Sequence, residues 1–198
     1  FYDFNPAKWP EMNWGERILS AFFQSVTPRT AGFMSLDMRG FSQASLLLVI
    51  VLMLIGGSPG STAGGIKTTS LGVLFLSLRS CLTKKEHLYF CKRRLPDGAF
   101  RNTMVLLCMF LTLFVVGTMA LCCLDGLSLV EGMFEVASAL GTVGLSLSVT
   151  PTLSAASQIV LICLMYLGRI GGLTLLYAMN SRTVTVPREY PEEPVNIG

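Results

Sequence analysis

At 198 residues the chain has room for one or two soluble domains, but 52% of it is hydrophobic, only 14% is charged and the mean hydropathy is +0.59. Soluble domains carry about 25% charged residues, so the deficit points to a membrane protein. Collagen-like, long coiled-coil and disordered chains are excluded by the lack of a glycine period, of sustained heptads and of charge excess.

The chain starts at Phe1, and no basic region followed by an apolar stretch and a cleavage site reads as a signal peptide. Glu16 to Arg29 is helix-compatible, opens on an acid where the helix dipole favours one, and is too short to cross a bilayer. It is expected to be re-entrant, with a surface amphipathic helix as the plainer alternative. Thr30-Ala31-Gly32-Phe33 follows it.

Ser42 to Leu82 reads as one broken span. Leu46 to Ile55 is ten apolar residues, about half a bilayer, and Ser70 to Leu82 is apolar again. Between them stands Gly56-Gly57-Ser58-Pro59-Gly60-Ser61-Thr62-Ala63-Gly64-Gly65-Ile66-Lys67-Thr68-Thr69. Five glycines and a proline free backbone groups that cannot face lipid, so this segment is expected at membrane depth, lining an aqueous path. Gly56, Gly60 and Gly64 are also spaced four apart, as in a small-residue helix-packing stripe, but Pro59 argues against an unbroken helix. A phosphate-binding loop is disfavoured, because no strand precedes the segment and Ile66 separates Gly65 from Lys67.

Seven of the fifteen basic residues fall between Arg79 and Arg101, against Glu86 and Asp97. A short basic loop between apolar segments is expected on the cytoplasmic side. No aromatic array accompanies it, so nucleic acid is not an expected partner. The six cysteines lie in apolar runs or in this loop without C-x-x-C spacing and are expected to be reduced. A partial zinc site from Cys81, His87 and Cys91 is the weaker reading.

Asn102 to Leu124 is uncharged and long enough to span. Glu131 to Gly141 is a second short helix opening on an acid, and Thr142-Val143-Gly144-Leu145 follows it. Ile159 to Met179 is a further span with Arg169 in its middle. A mid-span charge costs at least ~2.5 kcal/mol, so Arg169 should face the bundle interior, with snorkelling to the cytoplasmic face as the alternative.

Sliding the sequence by 112 residues places Phe22 to Thr62 on Phe134 to Thr174 without a gap, with twelve identities in 41 positions, among them Thr30/Thr142 and Gly32/Gly144. Chance for this composition gives about 3 or 4. The chain thus holds two copies of a unit: short helix, T-x-G turn, span. The span that precedes the second copy has a counterpart expected before Phe1, so the chain reads as part of a longer polypeptide. If the basic loop is inside, the outer segments carry Asp3, Glu11, Glu16, Asp37, Asp125, Glu131 and Glu135 against Lys8, Arg17, Arg29 and Arg39, an acidic mouth that would concentrate cations. The extended T-x-G backbone would supply carbonyls in place of an ion's hydration shell. No Ser/His/Asp set, metal cluster or paired carboxylates support catalysis, so an enzyme is not expected.

Gln24 to Phe33, Ile55 to Thr69, Ser138 to Ser146 and Leu167-Gly168-Arg169 resemble motifs of the third and fourth repeats of the Trk/Ktr/HKT superfamily of potassium transporters, closest to the membrane subunit of bacterial Ktr systems. The tail Tyr190 to Gly198 resembles that subunit's C-terminal end. The resemblance implies an all-α membrane fold of pore-loop repeats: residues 1–101 as a third repeat lacking its first span, with a cytoplasmic loop at 79–101, and residues 102–198 as a fourth, with a cytoplasmic tail at 180–198. It implies a potassium filter at Thr30, Ala31, Gly32, Phe33, Thr142, Val143, Gly144 and Leu145. Below it a gate is implied from Gly56, Gly57, Ser58, Pro59, Gly60, Ser61, Thr62, Ala63, Gly64, Gly65 and Lys67 with Arg169, which is expected to bond loop carbonyls or the Ser58, Ser61 or Thr62 side chains.

The same resemblance implies potassium as the transported ion, sodium as a coupling ion in some members, and no covalent cofactor. Its partners would be the other repeats of the polypeptide, a second copy of the subunit, a cytosolic nucleotide-binding regulatory subunit and membrane lipid. The location would be the inner cell membrane. A sodium-selective member of the superfamily, with serine in place of a filter glycine, and a non-transporting scaffold are the alternatives.

Overall fold

A computed structural model describes residue 3 and residues 12–61, 63–83, 89–90, 93–94 and 97–170. Helix α1 (Trp14–Val26) is nucleated by a capping box: the Asn13 side chain accepts from the first turn, and the Asn13 amide donates to Glu16 Oε2 at 2.9 Å. It ends just before Pro28, which has no amide to donate to the preceding turn, although Thr27 itself keeps helical dihedrals (φ −55°, ψ −34°). Helix α5 (Leu129–Gly141) is built alike, with Ser128 and Glu131 as the reciprocal pair. Each has 13 residues, about 20 Å, and so falls short of a bilayer.

The expected broken span is two helices, α2 (Gln43–Leu54) and α3 (Thr68–Leu82), with a non-helical segment between them. The helix-stripe reading of Gly56, Gly60 and Gly64 is thereby overturned. Helix α4 (Asp97–Asp125) contains a 26-residue stretch, Phe100–Asp125, and among the described residues this is the one helix long and apolar enough to cross a membrane. Helix α6 (Ala155–Ile170) begins at Ser154, whose hydroxyl accepts from the Ser157 amide, as Ser42 does from Ser45 at the start of α2. The remainder of the expected last span, the tail, Thr62 and residues 84–88, 91–92 and 95–96 of the basic loop lie outside the described residues.

Two details of the basic loop depart from expectation. Arg79 and Arg101 sit inside α3 and α4, because backbone hydrogen bonding carries a helix past the apolar slab that hydropathy detects. A two-residue antiparallel ladder, β1 (Tyr89–Phe90) with β2 (Arg93–Arg94), stands where no strand was expected.

The core gathers around α5, which packs on α2, α4 and α6. Phe134, Val136, Ala137 and Leu140 of α5 are fully buried, with Met53 of α2 and Leu121 of α4. Gly117 lets α4 approach: a Cβ there would lie 2.8 Å from Leu164 Cδ1. Helix α1 is less covered among the described residues: Arg17 and Gln24 are buried, while Trp14, Ile18, Leu19 and Phe22 are exposed. Phe22 and Phe134 are paired in the repeat, yet one is exposed and the other fully buried.

Candidate ion path

The two T-x-G turns share an unusual backbone. Thr30 and Gly32 have φ of 64° and 71°, and Thr142 and Gly144 have 54° and 90°, while Ala31 and Val143 keep negative φ. A left-handed β-branched residue costs about 1–2 kcal/mol, and here it recurs at the same place in both copies. The alternation of positive and negative φ sets both turns apart from a regular helix or strand. The two turns also meet: a Cβ on Gly32 would overlap the Val143 carbonyl, and one on Gly144 would lie 3.8 Å from Gly32 Cα.

Each turn is tethered differently. In the first, Thr27, buried behind the strand, donates its hydroxyl to the Phe33 carbonyl at 2.6 Å. Sequence reasoning gave Thr27 no role; a hydroxyl between apolar Val26 and Pro28 is the signal that could have found it. In the second copy its counterpart is Ala139, and the buried Glu135 takes over the tethering. It accepts from Ser146 Oγ at 2.5 Å, the Leu147 amide at 3.1 Å and Thr150 Oγ1 at 2.8 Å.

The glycine-rich segment closes on itself. The Ile66 amide donates to Leu54 O at 3.0 Å and the Gly56 amide to Ile66 O at 2.9 Å, forming a parallel bridge at Ile55 and Ile66. A Cβ at Gly56 would strike the Gly64 carbonyl, so the neck admits no side chain. Lys67 Nζ donates to Ser61 O at 3.1 Å and Ala63 O at 2.6 Å. At the neck these backbone groups are therefore paired, while among the described residues of the loop the tip, Ser58 to Ser61, is exposed.

The neck rests on the second copy. The Gly64 amide donates to Thr142 Oγ1 at 2.9 Å, and a Cβ on Gly64 would lie 2.7 Å from Thr142 Cγ2 and 3.0 Å from Gly168 O. The structure thus brings together the loop, the second T-x-G turn and the residue before Arg169. Arg169 is exposed in the last turn of α6 and lines, with Glu135, Thr142, Val143 and Gly144, a cavity of about 450 Å³.

The acidic mouth is also altered. Asp3 receives the Ser42 amide and hydroxyl, each at 3.0 Å, and Asp125 receives the Ser154 amide at 3.1 Å, so in both copies a carboxylate preceding the short helix caps the following span. Asp37 accepts from the Arg39 amide, Glu16 and Glu131 serve capping boxes, and Glu135 is buried away from solvent. Glu11 lies outside the described residues. The Ser128 hydroxyl, then the Ser128 amide, hold the Glu131 carboxyl below its ordinary range.

A family model described as "TrkH: Cation transport protein" matches residues 2–184. The chain belongs to this TrkH family of cation transport proteins. It is 39% identical over 189 residues to the potassium/sodium uptake protein NtpJ of Enterococcus hirae, covering 92% of this chain and 42% of that protein. It is 37% identical over 194 residues to the Ktr system potassium uptake protein B of Vibrio alginolyticus, covering 98% of this chain and 42% of that one. The chain therefore spans about two fifths of the length of these relatives. Among solved structures it superposes on the potassium transporter TrkH of Vibrio parahaemolyticus with a TM-score of 0.68 at 22% identity, over 89% of this chain and 39% of that one. These likenesses fix the Trk/Ktr superfamily, with a Ktr-like sequence and a helical, TrkH-like fold. The TrkH family is one of membrane transporters, not of enzymes.

Proposed function

We propose that the full-length protein takes up potassium through a path to which this chain contributes two of four filter strands, Thr30 to Phe33 and Thr142 to Leu145. The observation that carries the reading is the recurrence of a left-handed Thr and a left-handed Gly at equivalent places in both copies, with the two turns in contact. Carbonyls presented to one side at membrane depth can replace the hydration shell of a potassium ion. The loop Gly56 to Gly65 with Lys67 is the gate, its neck seated on Thr142. Arg169, beside that seat, supplies a positive barrier. The path is reached from the side of Asp3 and Asp125, which is outside, and the basic segment between α3 and α4 is cytoplasmic.

The name of the Enterococcus hirae relative supports sodium as a second ion, transported or coupling. Glycine at both filter positions, Gly32 and Gly144, favours potassium as the main one. The Ktr-like sequence supports a dimer of full-length subunits in the inner membrane, regulated by a cytosolic nucleotide-binding subunit that docks on the basic segment and the tail.

The test is rubidium uptake by a potassium-auxotrophic strain expressing the full-length protein. Uptake above the background of the empty strain is expected; none, with the protein verified in the membrane, sinks the reading. Arg169→Ala, or deletion within Gly57 to Gly65, is expected to change the flux. Unchanged flux in both removes the gate while leaving the filter.

A further inference from the structure

The segment leaving the second T-x-G turn, residues 145–150, is gripped from two sides. Glu135, 4% exposed, holds it from α5 through Ser146 Oγ, the Leu147 amide and Thr150 Oγ1. From the other copy, Arg39 donates Nε to Leu147 O at 2.8 Å and Nη2 to Ser148 O at 2.9 Å. Leu147 thus gives its amide to a carboxylate and its carbonyl to a guanidinium. Bonds of this charge-assisted kind are about twice as strong as neutral ones, and the planar guanidinium fixes direction as well as distance. Between the contacts Ser148 has φ of 58°, a conformation that does not persist unless its surroundings impose it.

The grip belongs to one copy. At the 112-residue offset Glu135 corresponds to Phe23 and Arg39 to Pro151, neither of which can make these bonds, and the first turn is held by the neutral Thr27 hydroxyl instead. The two strands therefore differ in how firmly they are held. Ser146 is two residues past Gly144, so its bond to Glu135 anchors the chain immediately beyond the turn.

We propose that Arg39 and Glu135 are positioning residues that fix the second T-x-G segment from its far end, and so set the discrimination between potassium and the smaller sodium ion. The inference rests on the reading of Thr142 to Leu145 as part of the ion path. A T-x-G segment whose following residues are anchored from two sides has less freedom to contract around a smaller ion than one held by a single neutral side-chain bond.

The experiment compares sodium with rubidium uptake by the full-length protein, wild type against Glu135→Gln and Arg39→Lys, at matched membrane abundance. The amide of Glu135→Gln keeps one accepting oxygen and replaces the other by a donor. Lysine keeps the charge of Arg39 but cannot span two carbonyls in fixed geometry. Both variants should raise the sodium-to-rubidium ratio severalfold, and the double variant should do little more than the worse single. Lower rubidium uptake with an unchanged ratio, or no change at all, overturns the proposal, since a structural prop alone would alter abundance and rate but not preference. Arg39 is on the surface, so Arg39→Lys should fold whatever becomes of Glu135→Gln, and its ratio alone decides. Absence of rubidium uptake by the wild type would instead remove the function on which the inference rests.

Discussion

The Gly64 amide donates to Thr142 Oγ1 across 78 residues of sequence, tying the neck of the glycine-rich loop to the first residue of the second T-x-G turn. The contact needs a residue without a side chain, because Thr142 Cγ2 and Gly168 O already occupy the space a Cβ would take. Gly64→Ala should therefore lift the loop from its seat. If the loop is a gate, rubidium uptake by the full-length protein rises at equal membrane abundance. Thr142→Val removes the acceptor, keeps the shape and should act in the same direction more weakly. Uptake that stays constant or falls in both would show that the contact holds the fold and not a gate.

Lys67 is the loop's internal fastener. Its ammonium spans the Ser61 and Ala63 carbonyls, and hydrogen bonds to charged groups contribute about 1.5–3 kcal/mol each. Lys67→Met keeps the length of the stem and removes both bonds. Local opening of the loop should become easier by about 2 kcal/mol, roughly thirtyfold in the exchange rate of its amides. Hydrogen exchange followed by mass spectrometry on Ser61 to Gly65 measures this; protection equal to wild type would mean that the neck bridge at Ile55 and Ile66 alone sets the opening.

Periodicity and repetition made the helices readable: α2, α3, α4 and α5 lie where apolar runs and opening acids put them, and the break between α2 and α3 follows from Pro59 and its glycines. What stayed hidden is long-range pairing. Nothing local distinguishes Glu135 from the other acids, yet it is buried among hydroxyls and an amide while Asp125 and Asp37 cap backbone at the surface. Lys67 is another such case: a lysine after a glycine-rich run suggests an anion or a barrier, and only the folded loop shows two carbonyls within its reach. The role of Asp3 was unreadable for a different reason, since its spacing to Ser42 is ten residues longer than that of Asp125 to Ser154 and escapes a gap-free repeat.

Glu131 gives the second short helix a defined acid sensitivity. Its folded-state pKa lies below the ordinary 4.5 because the Ser128 hydroxyl and amide stabilise the carboxylate. The contribution of the box is therefore complete above about pH 4.5 and is lost as pH falls through the lowered folded value. Glu131→Gln should lower the melting temperature of the detergent-solubilised full-length protein near neutral pH and flatten its fall on acidification. A variant whose melting curve keeps the full wild-type drop below pH 4.5 would assign that drop to other carboxylates.

Thr27 offers the cleanest separation of filter support from packing. It is 2% exposed, and its hydroxyl donates to the Phe33 carbonyl at 2.6 Å. Thr27→Val conserves volume and deletes the bond, leaving a carbonyl free to rotate at the end of the first T-x-G segment. The expected cost is about 1–2 kcal/mol of stability, typical of a buried polar group that loses its partner. Thr27→Ser keeps the donor and should restore the carbonyl's orientation despite the small cavity left by the methyl. Rubidium uptake that falls in the valine variant and returns in the serine variant would tie the hydroxyl to transport. The opposite order, with valine tolerated and serine not, would make Thr27 a packing residue, and the first strand would then be held by its backbone bonds from Ala31 and Gly32 to Thr27 O alone.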